Sequence, residues 1–481
     1  MQNSPAQEAA LASLMFEPVR LRHNLTDCAS ATVTTTASQL ANRNIENLVL
    51  LIFWLLFLEG ALRKWVLPQY SQYIFFIRDP FVLLLYWHAL QARAFQRAGP
   101  MLTTGLAFAA VALLLAFVQS ISIGDTRVLT VMAYGWRQYF FYLPLPFAMA
   151  AALSLDSLQR FARHAIAAAL ITAPLEFLQF HSAPSAIVNR GISDEIGLQF
   201  QSFAYTGGAI RPSGTFTSTA GVTQLVPSCF ALLLAGWLTK SRRGTMRTTL
   251  LVVAASAIAV CLAFSGSRAA FVHVAIVSVG SLALGVVTRD TTMRARALLL
   301  PTTLLLLAAT LYPVVFPDAF ALMVDRVVES YASESRFSSL GIVGRALYET
   351  VDFVSLLQST PLVGYGLGLG GNGRTWLATG GVAEVANVYS ESDWSRHIVD
   401  LGTIVGVMFI LYRIIFTISV FKDVFRATRR SASAYPMLLF GYVGIGLFYG
   451  QLTGHGTVGG FIWIYLGLCL ASCRIAQEQQ L

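Results

Sequence analysis

Charged side chains are scarce: Asp, Glu, Lys and Arg make up 12% of the 481 residues, where a soluble domain carries about 25%. That shortage excludes a string of soluble domains. Cysteine is sparse as well. Its five positions give no disulfide or zinc spacing, and Cys229, Cys261, Cys469 and Cys473 fall in apolar stretches, where a thiol behaves as a small hydrophobe. No metal site and no cofactor are expected. No apolar core appears before Leu48, so the first residues do not read as a signal peptide. No soluble basic domain is present, so the net charge of +9 does not mark a nucleic-acid partner. Basic loops on one side of a membrane explain it better, and anionic membrane lipids are natural partners for them.

What is abundant is apolar sequence, 56% of the residues, with a mean hydropathy of +0.63. Runs of about 17–25 apolar residues are long enough to cross a bilayer. Twelve are expected, near 47–62, 73–91, 101–121, 128–151, 164–180, 221–239, 248–264, 269–288, 297–316, 398–420, 435–452 and 457–473. The fold class is therefore an all-α polytopic membrane protein of about twelve transmembrane helices. The expected organisation is a polar cytoplasmic tail at 1–46, one membrane domain at 47–473 with a large outer loop at 317–397, and a cytoplasmic tail at 474–481. With both termini inside, the short cytoplasmic loops carry fifteen Lys and Arg and the short outer loops three, as the positive-inside bias requires.

The outer side nevertheless gathers arginines. Arg137 sits in YGWRQYFFYLPL, Arg211 in RPSGTF (211–216) and Arg268 in SGSR (265–268), with Arg63, Lys64 and Arg78 on the same side. Ionisable groups at the ends of spans are costly and so informative. Arginine forks suit phosphate oxygens, and a diphosphate takes more than one. The plainer alternative is ordinary pairing with acids such as Asp79, Asp194, Glu195 and Asp325. Arg413, inside the span at 398–420, reads as a snorkelling side chain without a function.

In the large loop, Leu340, Val343, Leu347, Val351, Val354 and Leu357 recur every three or four positions. This predicts an amphipathic helix on the membrane face, carrying Arg345 near its start and ended by Pro361. The GYGLGLGGNG that follows matches GxGxxG, but no βαβ unit surrounds it, so a dinucleotide site is excluded. Its glycines suit close backbone approach to a ligand. YSESDWSRH (389–397) offers Glu391, Asp393 and His397 for proton transfer, with Asp393 and His397 on one face if helical. The alternative is an acidic helix N-terminus facing its own dipole. His455, in TGHGTVGG, could face the same space.

Taken in order, RPSGTF, SGSR, Arg345 with its helix, PLVGYGLG (361–368) and DLGTIVG (400–406) resemble the O-antigen ligase and O-antigen polymerase superfamily of bacterial envelope proteins. EGALRKW (59–65) with IRDP (77–80) resembles a subgroup of it. The resemblance implies a metal-independent inner-membrane glycosyltransferase, multi-pass with both termini cytoplasmic, acting at the periplasmic face. Its donor would be a polyprenyl-diphosphate-linked glycan, and its acceptor a growing glycan or lipid A core. A chain-length regulator is a further partner. Arg211, Arg268 and Arg345 match family arginines expected on the diphosphate, and Arg137 and Arg78 join them by position. Ligases carry a His-Asn pair where this chain has Glu391, which leaves Glu391, Asp393 and His397 as base candidates and tilts the expectation from ligase to polymerase. A lipid-linked oligosaccharide transporter is the alternative from another class.

Overall fold

A computed structural model describes residues 17–123, 127–191, 210–239, 248–334, 344, 348–371 and 392–479. Among these residues all regular structure is helical. Nine helical segments are long and apolar enough to cross a membrane, and Thr249–Phe264 and Tyr435–Phe448 are shorter apolar helices.

The chain starts with α1 (Glu17–Ala61), which begins well inside the stretch expected to be a polar tail and ends in a π-helical turn, Leu62–Val66. It continues through α2 (Asp79–Gln91), α3 (Gly99–Ile123), α4 (Arg127–Trp136), α5 (Leu145–Ala152) and α6 (Leu155–His181). Then follow α7 (Thr219–Leu238), α8 (Thr248–Phe264), α9 (Arg268–Val287), α10 (Thr291–Val315) and α11 (Pro317–Glu334). The last four are α12 (Asp393–Leu401), α13 (Thr403–Arg430), α14 (Tyr435–Phe448) and α15 (Gly456–Glu478). The C-terminal tail expected from residue 474 is thus mostly a continuation of α15.

One expected span is not a continuous helix. The segment 128–151 breaks into α4, a π-helical turn at Arg137–Phe141, a turn and α5. Pro144 and Pro146 explain the break, because proline supplies no amide hydrogen and clashes with the preceding turn. The turn leaves Arg137, Gln138, Tyr139 and Phe140 all buried, so a site residue is delivered where a straight helix would have carried it past.

Helix starts follow local chemistry. Ser154 and Ser157 form a reciprocal cap on α6, Asp290 accepts from Thr292 and Met293 at the start of α10, and Ser392 caps α12. Each side chain satisfies amides the helix cannot. The core is α7 and α15, whose most apolar windows are 89% and 83% buried, while that of α10 is 6% buried. α10 stands at the rim with Leu299, Leu306 and Val314 exposed, an apolar surface suited to lipid. α9 and α14 cross closely, with a Cβ on Gly280 only 3.5 Å from Gly441 Cα, as small residues allow between membrane helices.

The connections sort to two ends of the bundle. At one end Lys64 reaches Ser213 and Gly214, Arg211 reaches Ser265, Arg326 reaches Gly266 and Ser218 meets His455. At the other end Arg474 caps the carbonyl of Ala150 and Ala434 bonds Thr239. The arginines singled out in the sequence and described here, Arg78, Arg137, Arg211 and Arg268, all belong to the first end.

Candidate functional site

The first group centres on α12. Asp393 Oδ1 accepts from Arg396 Nη1 at 2.7 Å and Thr453 Oγ1 at 2.9 Å. Its Oδ2 accepts from Arg413 Nη1 at 2.7 Å and from the amides of Leu452 and Thr453 at 3.0 and 3.2 Å. Burial alone would raise the Asp393 pKa, but Arg413 and Arg396 outweigh it and hold the carboxyl below its usual value. Arg413 also donates to His397 Nε2 at 2.8 Å. A guanidinium only donates, so Nε2 accepts and the imidazole is neutral with its proton on Nδ1. That proton faces Tyr139 Oη at 3.1 Å, and Tyr139 donates to Asp400 Oδ2 at 3.0 Å. Burial, with Arg413 and Arg396 adding, pushes the His397 pKa well below its usual value.

Asp393 and His397 do share a helix face, but Arg413 lies between them. All three are at most 1% exposed, and the imidazole has a partner on each nitrogen. This geometry makes them braces of the bundle and does not support a base role. Arg413, expected to snorkel, is the centre of the group: it also reaches the carbonyls of Gly446, Leu447 and Gly450. The signal available in the sequence was an arginine in mid-span with no nearby end to reach for. Glu391 and Arg345 lie outside the described residues.

The glycine-rich turn folds onto this group. Gly364, Gly366 and Gly368 have φ of 78°, 152° and 85°. A Cβ on Gly368 would come 2.9 Å from Gly135 Cα, and one on Gly364 would come 2.6 Å from Gly402 N. These glycines approach the protein's own backbone, where ligand approach had been expected. Gln119 ties the turn down by donating to Val363 and Asp400 carbonyls and accepting from Leu367 N. Asp400 Oδ1 takes the Gly370 amide at 2.7 Å, and burial still lifts the Asp400 carboxyl to about 6. Of the apolar stripe expected at 340–357, Leu340, Val343 and Leu347 lie outside the described residues, Val351 and Val354 are exposed, and Leu357 packs on the cluster of Trp394 and Ile398, joined by Phe353 and Leu356 from outside the stripe.

The second group is a box of arginines, acids and aromatic rings. Arg137 grips Asp79 with both Nε and Nη2, at 2.5 and 2.8 Å, and lies 4.7 Å from the Phe75 ring centre. Arg78 is 3.1 Å from Glu59, which also takes Arg63 at 3.1 Å. Here the plainer expectation of ordinary ion pairing holds for Arg78 and Arg137.

The third group differs. Arg211 donates through Nε to the Ser265 carbonyl at 3.3 Å and meets no carboxylate among the described residues. Burial first, then the charge of Arg268, lowers its pKa to about 10. Arg326 reaches the next carbonyl, Gly266, at 2.8 Å. Across the RPSGTF loop, Lys64 is 1% exposed, donates to Ser213 Oγ at 3.0 Å and the Gly214 carbonyl at 2.9 Å, and lies 4.6 Å from the Trp65 ring centre. The five residues expected on a diphosphate therefore separate: Arg211 and Arg268 adjoin, Arg78 and Arg137 form their own paired box, and Arg345 is not described.

Two further features complete this end. His455 lies between groups, with Nε2 3.2 Å from Ser218 Oγ and a buried Nδ1 without a partner among the described residues. Burial, then Arg396 and Arg78, lowers its pKa to about 4, so it is neutral near pH 7 and able to accept a proton. An apolar cavity of about 690 Å³ runs between α8, α9 and α10, from Trp237 and Val252 to Ala263, Tyr312 and Phe316. Its upper end is next to the third group, because Ala263 also borders Arg211. Among the described residues no three His, Cys, Asp or Glu side chains converge on a metal position.

No family model matches the chain, and neither a curated protein nor a solved structure does.

Proposed function

We propose that the protein is an inner-membrane glycosyltransferase that polymerises polyprenyl-diphosphate-linked oligosaccharide repeat units at the periplasmic face, with both termini in the cytoplasm. The observation that carries this reading is the apolar cavity between α8, α9 and α10, which reaches Ala263, a residue that also borders Arg211, with the charge of Arg268 close to Arg211. A greasy slot capped by cations fits a long isoprenoid chain with an anionic head. The arginines concerned are those of the RPSGTF and SGSR motifs that carry the resemblance.

In this reaction an acceptor hydroxyl attacks the anomeric carbon of the donor. A new C–O bond forms, the bond to the diphosphate breaks, and its electron pair leaves on the diphosphate oxygen. Arg211 and Arg268 stabilise that growing negative charge, the electrostatic task that dominates such transfers. A cation held by neutral carbonyls keeps its charge available for the anion, whereas one already paired does not. The acceptor's proton needs a base; among the described residues His455 offers an unpartnered Nδ1, though burial makes it a weak base.

The test is direct. Purified protein in detergent, given polyprenyl-diphosphate-linked repeat units and no gradient, is expected to make longer glycans and release polyprenyl diphosphate. Transfer only when a lipid A core acceptor is added would move the assignment to a ligase. No transfer with either acceptor, together with movement of the lipid-linked glycan across vesicles, would replace the enzyme with a transporter.

A further inference from the structure

The end of the bundle opposite Arg211 holds a second cavity, of about 810 Å³, between the α9–α10 connection and the end of α13. Its rim carries Arg289 and Asp290 on one side and Arg426, Arg429 and Arg430 on the other. Among the described residues, Asp290 and Asp423 stand near the four guanidinium groups: Asp290 accepts amides of α10 as its cap, and Asp423 pairs with Arg426 at 3.3 Å. Arg429 lies 5.8 Å from the Phe425 ring centre, which spreads a cation over an apolar floor.

Below this rim the same two helices turn apolar and exposed. α9 presents Val279 and Val286, 61% and 76% exposed, and α13 presents Ile418 and Phe421. Net positive charge above an exposed apolar face matches an amphipathic anion, with phosphate in the cavity and acyl chains along the helices. Generic basic loops would account for the charge but not for an open cavity lined by two elements.

We propose that this cavity binds the phosphodiester headgroup of an anionic phospholipid. The site is independent of the glycosyltransferase reading. The shared chemistry with free inorganic phosphate is the phosphate oxygen on guanidinium, and the apolar turns beneath favour the lipid.

Full-length protein reconstituted with phosphatidylcholine alone, or with added phosphatidylglycerol or cardiolipin, is examined by native mass spectrometry and thermal melting. The wild type is expected to retain the anionic lipids, and melting is expected to rise in their presence. Arg289→Gln/Arg429→Gln/Arg430→Gln is expected to lose retention about tenfold or more. Arg93→Gln/Arg163→Gln, exposed arginines at the same end and outside the cavity, is the control and is expected to retain it. Equal loss in both variants, or none in the triple variant, overturns the site. Displacement of bound lipid by millimolar inorganic phosphate places a small anion there and overturns the lipid. If the triple variant does not elute as a folded species, Arg289→Gln alone decides, since that side chain is exposed on the loop.

Discussion

Arg78, Arg137, Arg396 and Arg413 each lie within 3.1 Å of a carboxylate oxygen. Arg211 and Lys64, at the same end of the bundle, meet no carboxylate among the described residues: they donate to carbonyl and hydroxyl oxygens, and Lys64 also lies over the Trp65 ring. The contrast separates cations paired with acids inside the fold from cations that rest on neutral acceptors. A buried ion pair is electrically satisfied, and losing one partner strands the other in a medium that cannot solvate it. Arg211, resting on a neutral acceptor with a pKa of about 10, retains its charge at neutral pH, and removing it strands no buried carboxylate among the described residues.

The largest effect is therefore expected where pairing is deepest. Asp393→Ala leaves Arg396 and Arg413 buried without their shared acceptor and is expected to cost about 3–5 kcal/mol, seen as a lower melting temperature or loss of folded protein. Asp79→Ala removes a two-pronged partner from Arg137 at a less buried place, with an expected cost of about 2 kcal/mol. Adding Arg137→Met should recover part of that loss, because the two sites are coupled.

His455 extends the comparison to pH. Its folded pKa is depressed, from 6.5 to about 4, by burial and by Arg396 and Arg78. The stability tied to its neutral form is thus present above pH 6.5 and lost as pH falls toward 4, an effect of about 1–2 kcal/mol for a partly exposed group. His455→Gln is expected to flatten that part of a melting-versus-pH curve. An unchanged slope would mean that the imidazole already has a partner. The smallest stability effect is expected for Arg211→Gln, less than about 1 kcal/mol.

Much of the architecture could be read from hydropathy, because lipid exposure demands long apolar runs whatever their partners. Nine of the expected spans appear as long apolar helices and two as shorter ones. The break at 128–151 was not read, although Pro144 and Pro146 carried the signal, because a hydropathy window averages over a turn. The candidate site was legible in residue type more than in role. Arg78 and Arg137 were picked out as phosphate ligands, yet Glu59 and Asp79 form ion pairs with them across gaps that a single sequence does not display. Arg413 was passed over because a snorkelling argument assumes that the span faces lipid on that side, and this residue is 1% exposed within the protein. The glycines of the turn at 364–371 were assigned correctly to close approach but to the wrong neighbour, since Gly135 and Gly402 are distant in sequence.

The claim on which the rest stands is that Arg211 keeps its charge for a lipid's phosphates while the paired arginines keep theirs for the fold. Binding of undecaprenyl diphosphate to purified wild type and Arg211→Gln, with melting followed on the same samples, tests it most directly. The expected result is a melting temperature within a few degrees of wild type and an affinity lower by about tenfold or more. A folded Arg211→Gln that binds the lipid as tightly as wild type would contradict it.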